Sequence, residues 1–125
     1  MQTLEIAKGL VALCREGKNR EALDEYYADD IVSIEGASSP ELPARMEGIE
    51  AVRGKTEWWY DNHEVHEVGV DGPFVAEGSD QFAAIFHIDV TTKATGERMK
   101  MSEVALYTVR DGKIAQEEFF FPPFG

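Results

Sequence analysis

A chain of 125 residues that is 43% hydrophobic can bury one core without disulfide or metal staples, so residues 1–125 read as a single domain. Twelve basic against 24 acidic residues leave a net charge of −12, which argues against nucleic acid and anionic membranes as partners, since those want basic patches. Cys14 is the only cysteine, so neither a disulfide nor a cysteine metal cluster is available; no stretch resembles a signal peptide or a membrane span, and the expected compartment is the cytoplasm.

In chain order, Leu4, Ala7, Leu10, Val11 and Cys14 recur at helical spacing and predict a first helix with one buried stripe, stopped at Gly17. Asn19 is placed to cap a second helix running to about Ala28, with Ala22, Leu23 and Tyr26 inward and Tyr27 half exposed. Asp29-Asp30 ends that helix, and Ile31 to Glu35 predicts a short strand before Gly36. Residues 37–47, with Pro40 and Pro43 and no periodicity, predict a loop, either a lid over a site or a connector. Gly48 opens a third helix with Ile49, Val52, Thr56 and Trp59 on one face. Trp59 reads as core, and Trp58 as core, pocket wall or subunit contact.

His63 to Val70 predicts a strand. Its two histidines are three apart, which on a strand sends them to opposite faces, so no metal is expected there; the reading is a surface strand with a half-buried His66. Asp71-Gly72-Pro73 reads as a turn, and Phe74 to Ala76 as the start of another strand segment. Gln81 to Thr92 is a long strand, returned by Lys93 to Gly96 into Met99. With those four residues as the loop, Val90 faces Met99, Ile88 faces Met101, Phe86 faces Glu103 and Phe82 faces Tyr107. Asp89 then pairs with Lys100, and His87 with Ser102, on the opposite face.

The stretch Met99 to Phe121 predicts a hairpin around Arg110-Asp111-Gly112. Met99, Met101, Glu103, Ala105, Tyr107 and Val109 share one face, an apolar row interrupted only by Glu103. A two-residue turn would add Gln116, Glu118 and Phe120 to that face; a three-residue turn, with Gly112 at a bulge and Val109 opposite Lys113, would add Ala115, Glu117, Phe119 and Phe121. The second is favoured because its row is more apolar. It makes Glu103 and Glu117 diagonal neighbours, roughly 7–8 Å apart. The reverse face carries Ala83, Ile85, Val104, Leu106, Ile114 and Phe120, too apolar for open solvent, which points to a subunit interface. Helices first and an antiparallel meander after make an α+β layout.

Several pieces of the chain carry a family resemblance: the first helix ending at Gly17, Tyr27-Ala28-Asp29-Asp30 leading to the strand that ends at Glu35, Gly48-x-x-Ala51-Val52-Arg53, and Val109-Arg110-Asp111-Gly112-Lys113-Ile114. Together they resemble the SnoaL-like branch of the superfamily that includes nuclear transport factor 2 and ketosteroid isomerase. The resemblance implies a cone-shaped fold, with three helices on a strongly curved, mixed but mostly antiparallel sheet, a pocket between them and a homodimer through the outer sheet face. It puts Glu35 where the isomerases keep their carboxylate base. Their two oxyanion-hole acids fall at Leu10 and Ala105 and do not carry over.

The chemistry that follows needs no cofactor. A carboxylate in an apolar hollow, beside other carboxylates, has its pKa raised toward the range of a useful acid or base. Glu35 is the candidate proton acceptor next to a carbonyl, and Glu103 or Glu117 the candidate donor to the oxygen, so the catalytic set is Glu35, Glu103 and Glu117. Trp58, Phe82, Phe86, Met99, Met101, Tyr107, Phe119 and Phe121 are the candidate walls for a small hydrophobic ligand. The expected function is isomerase-, cyclase- or dehydratase-like chemistry on a hydrophobic carbonyl compound; the alternative is a non-catalytic binding or dimeric assembly module of the same fold, in which these carboxylates are salt-bridged or exposed.

Overall fold

The computed structural model describes residues 2–36 and 43–121. Helix α1 (Thr3–Arg15) buries Ile6, Ala7, Leu10, Val11 and Cys14, while Leu4 is exposed and Ile6 takes its expected place. Gly17, at φ 74°, lets the Lys18 amide bond the Leu13 carbonyl at 2.9 Å and its own amide bond that of Cys14 at 3.1 Å, a turn that reverses the chain. Helix α2 (Asn19–Tyr26) follows, with Lys18 rather than Asn19 at its cap and no side-chain cap bond. It stops two residues short of the expected end, because Tyr27 already has extended geometry and opens strand β1 (Tyr27–Ile34).

Within the expected 37–47 loop, Arg45–Glu47 forms a short strand, β2, antiparallel to β1. Residues 37–42, on which the lid-or-connector question turns, lie outside the described residues. Helix α3 (Ile49–Asn62) is capped by Gly48 at φ 92° and buries Val52. Strand β3 (His63–Val75) runs through Asp71-Gly72-Pro73, where a bulge stands in place of the expected turn. A second bulge between Val65 and Glu67 breaks the alternation, so Val65 and Val68 both turn inward while His66 is exposed and bonds Thr91 at 2.7 Å. His63, not His66, is the half-buried histidine.

Strands β4 (Gln81–Thr92), β5 (Arg98–Arg110) and β6 (Lys113–Phe120) complete a six-stranded sheet in the order β2-β1-β6-β5-β4-β3. The β1–β6 pair is parallel and the other pairs are antiparallel, so the sheet is mixed. The β4–β5 register is the expected one, with Phe86 opposite Glu103 and Asp89 opposite Lys100, although Asp89 forms its ion pair with Arg98 at 2.9 Å.

The β5–β6 turn departs from expectation. It is the two-residue turn, with Asp111 at φ 53° and Gly112 at φ 77°, and Val109 pairs with Ile114 rather than Lys113. A bulge after Ile114 then adds a residue, so Thr108 pairs with Gln116 and Tyr107 with Glu117. Beyond the bulge the net slip from the favoured register is two residues, which leaves the side chains from Gln116 onward on their expected faces. Glu117 is therefore inward, but opposite Tyr107 and about 13 Å of strand from the row of Glu103, not diagonal to it. The bulge also takes Ile114 off the outer face and into the core. The three helices cover the inner face of this sheet, and Arg15 ties α1 to β3 by bonds to the Val70 and Gly72 carbonyls. No helix among the described residues is long and apolar enough to cross a membrane.

Candidate active site

Between α1, α3 and the inner sheet face lies a cavity of about 840 Å³. Glu35, Glu103 and Glu117, arriving from β1's end, β5 and β6, all line it. So do Trp58, Phe86, Met99, Met101, Tyr107, Phe119 and Phe121. Phe82 does not: it stacks on Tyr107 with centroids 4.7 Å apart and lies wholly in the core behind that ring. Trp59, read as core, is half-buried and lines the cavity.

Glu117 is the best-anchored of the acids. Its Oε1 accepts from the Tyr27 hydroxyl, and its Oε2 accepts from the Ser33 hydroxyl at 2.6 Å. Lys55, one turn along α3 from Val52, reaches in to place Nζ 2.9 Å from Glu35 Oε1, 3.4 Å from Glu117 Oε2 and 2.5 Å from Ser33 Oγ. Arg45 and Arg53, the partners a rim position would offer Glu35, instead pair with Glu47 and with Asp24 and Glu50. Burial works against the Lys55 ammonium, but the Glu117 and Glu35 carboxylates outweigh it and raise its pKa, so it stays charged. With both oxygens of Glu117 accepting, that carboxyl is committed as an acceptor.

Glu103 differs. It makes no hydrogen bond among the described residues, and burial first, then the negative charge of Glu35, pushes its pKa up to about 7 against the opposing pull of Lys55. That shift brings it into the range of a general acid or base working near neutral pH. The Tyr27 and Tyr107 phenols are pushed well above their ordinary value by burial and then by Glu117. The Cys14 thiol is pushed up to about 12 by burial, with Glu117 adding to it, which makes it an unreactive wall group. Leu10 and Ala105 are buried and apolar, so the oxyanion-hole acids of the isomerases have no counterpart at these positions.

Three participants were not singled out from the sequence. Lys55 falls in the expected third helix off its apolar face, Tyr27 half exposed near the end of the expected second helix, and Ser33 inside the expected strand 31–35. Only the inward-alternating position of Ser33, two residues after the buried Ile31, carried a signal.

The SnoaL-like domain family matches residues 1–121 of the chain. A crystal structure from Mesorhizobium loti, described as a candidate SnoaL-like polyketide cyclase and also as a carbohydrate phosphatase, is 50% identical, with a TM-score of 0.90 over 97% of this chain and 100% of that one. A candidate isomerase from Bacillus subtilis is 18% identical, with a TM-score of 0.78 over 98% of this chain and 91% of that one. A Mycobacterium tuberculosis protein crystallised with estradiol-17β-hemisuccinate is 21% identical, with a TM-score of 0.74 over 98% and 95% of the two chains. No curated protein matches the chain. The family match over nearly the full length, on three helices packed against a six-stranded mixed sheet, establishes that the chain belongs to the SnoaL-like domain family, within the fold shared by nuclear transport factor 2 and ketosteroid isomerase.

Proposed function

We propose that the protein binds a small hydrophobic carbonyl compound in this cavity and acts on it by cofactor-independent acid/base chemistry of the isomerase, cyclase or dehydratase kind. The observation that carries the reading is Glu103: a carboxyl lining a largely apolar cavity, with no hydrogen-bond partner among the described residues and a pKa pushed up to about 7. In its protonated form Glu103 donates to the carbonyl oxygen as negative charge develops there. Glu35 takes the proton from the adjacent carbon, and Lys55, at 2.9 Å, keeps that acceptor in place and offsets the charge of the enolate. Glu117 is a positioning residue, holding Lys55 and Ser33 from below. The aromatic and methionine walls desolvate the ligand and exclude water.

Phosphate chemistry, the other description of the Mesorhizobium relative, suits this cavity poorly. Glu35, Glu103 and Glu117 repel a dianion, and the Lys55 ammonium is already paired with two of them.

The test is turnover of hydrophobic ketones found by melting-temperature shift. Replacing Glu103 with Gln is expected to leave ligand affinity within about threefold and to cut turnover by at least ~100-fold. Glu35→Gln is expected to do the same. Equal turnover in both variants would remove the mechanism. A second reading, a non-catalytic binding module, is favoured by one observation: Lys55 is ion-paired with Glu35 at 2.9 Å. It predicts binding without turnover in the unaltered protein.

We further propose that the chain forms a homodimer through the outer sheet face. Val104 and Phe120 are 40% and 45% exposed there beside Ile85 and Leu106, an apolar area that a second copy would cover.

A further inference from the structure

We propose that His63 is a second polar contact of the cavity, accepting a hydrogen bond from a hydroxyl at the far end of an elongated ligand. The inference rests on the ligand-pocket reading above and narrows it to ligands with a carbonyl at one end and a phenol or alcohol at the other.

His63 caps the C-terminus of α3 and lines the cavity. Its ring is held on three sides. It stacks on Trp59 with centroids 3.9 Å apart and planes 17° apart, and it meets the edge of Trp58 at 5.9 Å. Its Nδ1 lies 2.9 Å from the Trp59 carbonyl oxygen. A carbonyl only accepts, so Nδ1 carries the proton. In the neutral ring, Nε2 is then a pure acceptor, and it has no partner among the described residues. An oriented imidazole with its tautomer set by the helix end, and its other nitrogen unsatisfied, is built to receive a donor.

Two independent rulers place this acceptor away from the acidic cluster. Along α3, Lys55 and His63 are eight residues apart, about 12 Å of helix. Across the sheet, Glu103 stands in the row of Phe86 and Val70, the next inward row is Met101, Ile88 and Val68, the next is Met99, Val90 and Val65, and His63 lies beyond, paired with Thr92. The intervening rows are apolar. The two polar ends are also opposite in sense. Protonated Glu103 donates at one end, and His63 Nε2 accepts at the other. A flat fused-ring molecule with a ketone and a phenol at its two ends carries the acceptor and the donor that match these two groups; its deoxy analogue leaves the imidazole unpaired.

Estrone and 3-deoxyestrone differ by that one hydroxyl and serve as probes. Titration calorimetry at pH 7 is expected to show estrone binding about tenfold more tightly, the worth of one good hydrogen bond. In His63→Phe, which keeps an aromatic ring against Trp59, the ratio is expected to fall to about one. Nitrogen NMR of the unaltered protein supplies a measurement independent of the variant's folding. His63 is expected to be the Nδ1–H tautomer, with Nε2 shifting on addition of estrone and not of 3-deoxyestrone. Equal affinity for both probes, a ratio that survives in His63→Phe, or an Nε2 indifferent to estrone would each overturn the assignment and leave the cavity's acid/base reading standing. Binding of neither probe, nor of any neutral ketone, would take down both.

Discussion

Lys55 and Glu35 meet at 2.9 Å where the third helix crosses the end of the first strand, and the same ammonium lies 3.4 Å from Glu117. One cation thus serves two carboxylates that come from neighbouring parallel strands. Its side chain is 12% exposed and that of Glu117 only 4%, so solvent does little to screen the cluster. Replacing Lys55 with Met strands the two acids. The expected cost at neutral pH is about 3 kcal/mol of stability in urea denaturation. The pKa of Glu103 is also expected to climb above about 7, since Lys55 is what opposes its rise. An unchanged Glu103 titration in carbon-detected NMR would show that the three acids do not share a field.

Glu103 makes stability depend on pH with a definite sign. Its pKa in the folded protein, about 7, exceeds the reference value of 4.5, so the unfolded chain releases this proton first as pH rises. The group's contribution is complete below pH 4.5 and is lost as pH climbs through 7. At ~1.4 kcal/mol per unit of pKa, the loss is at most about 3 kcal/mol. Glu103→Gln removes this dependence. The variant is expected to gain stability over the unaltered protein between pH 5 and pH 8, and parallel stability curves would contradict the upward shift that its surroundings impose on this carboxyl.

Tyr27 and Ser33 each donate to Glu117, which is 3% exposed. Tyr27→Phe is expected to cost about 2 kcal/mol, as removal of a hydrogen bond to a buried charge does, and Ser33→Ala a similar amount. The double variant is expected to differ from the sum, since both bonds end on one carboxylate. Strict additivity in thermal or urea unfolding would argue that water replaces one donor.

Phe120 and Val104 stand opposite each other on the outer face. If a second copy covers them, Phe120→Asp buries a charge at the interface and is expected to convert the dimer to monomer in sedimentation velocity, with ligand binding retained. A monomer in the unaltered protein at micromolar concentration would remove the proposal.

Periodicity along single elements settled much of this molecule before any coordinates. The apolar stripe of α1 and the inward row of β5 are local patterns of helical spacing and side-chain alternation, and the β4–β5 register follows from the length of the short loop that joins the two strands. The face of Glu117 came out as expected although the turn did not, because a slip of two residues preserves parity while a slip of one destroys it. What the chain alone left undetermined was which charges meet. Lys55 looks like any solvated lysine until β1 and β6 are laid side by side beneath α3, and Tyr27 looks like a helix end until its hydroxyl finds Glu117. His63 and His66 look alike until a bulge turns one inward. The bulges, the parallel β1–β6 pairing and the crossing of α3 over them are long-range choices, made by the packing of the whole core. The electrostatics of the cavity depend on them, since a Coulomb interaction is set by distance in space and is indifferent to distance along the chain.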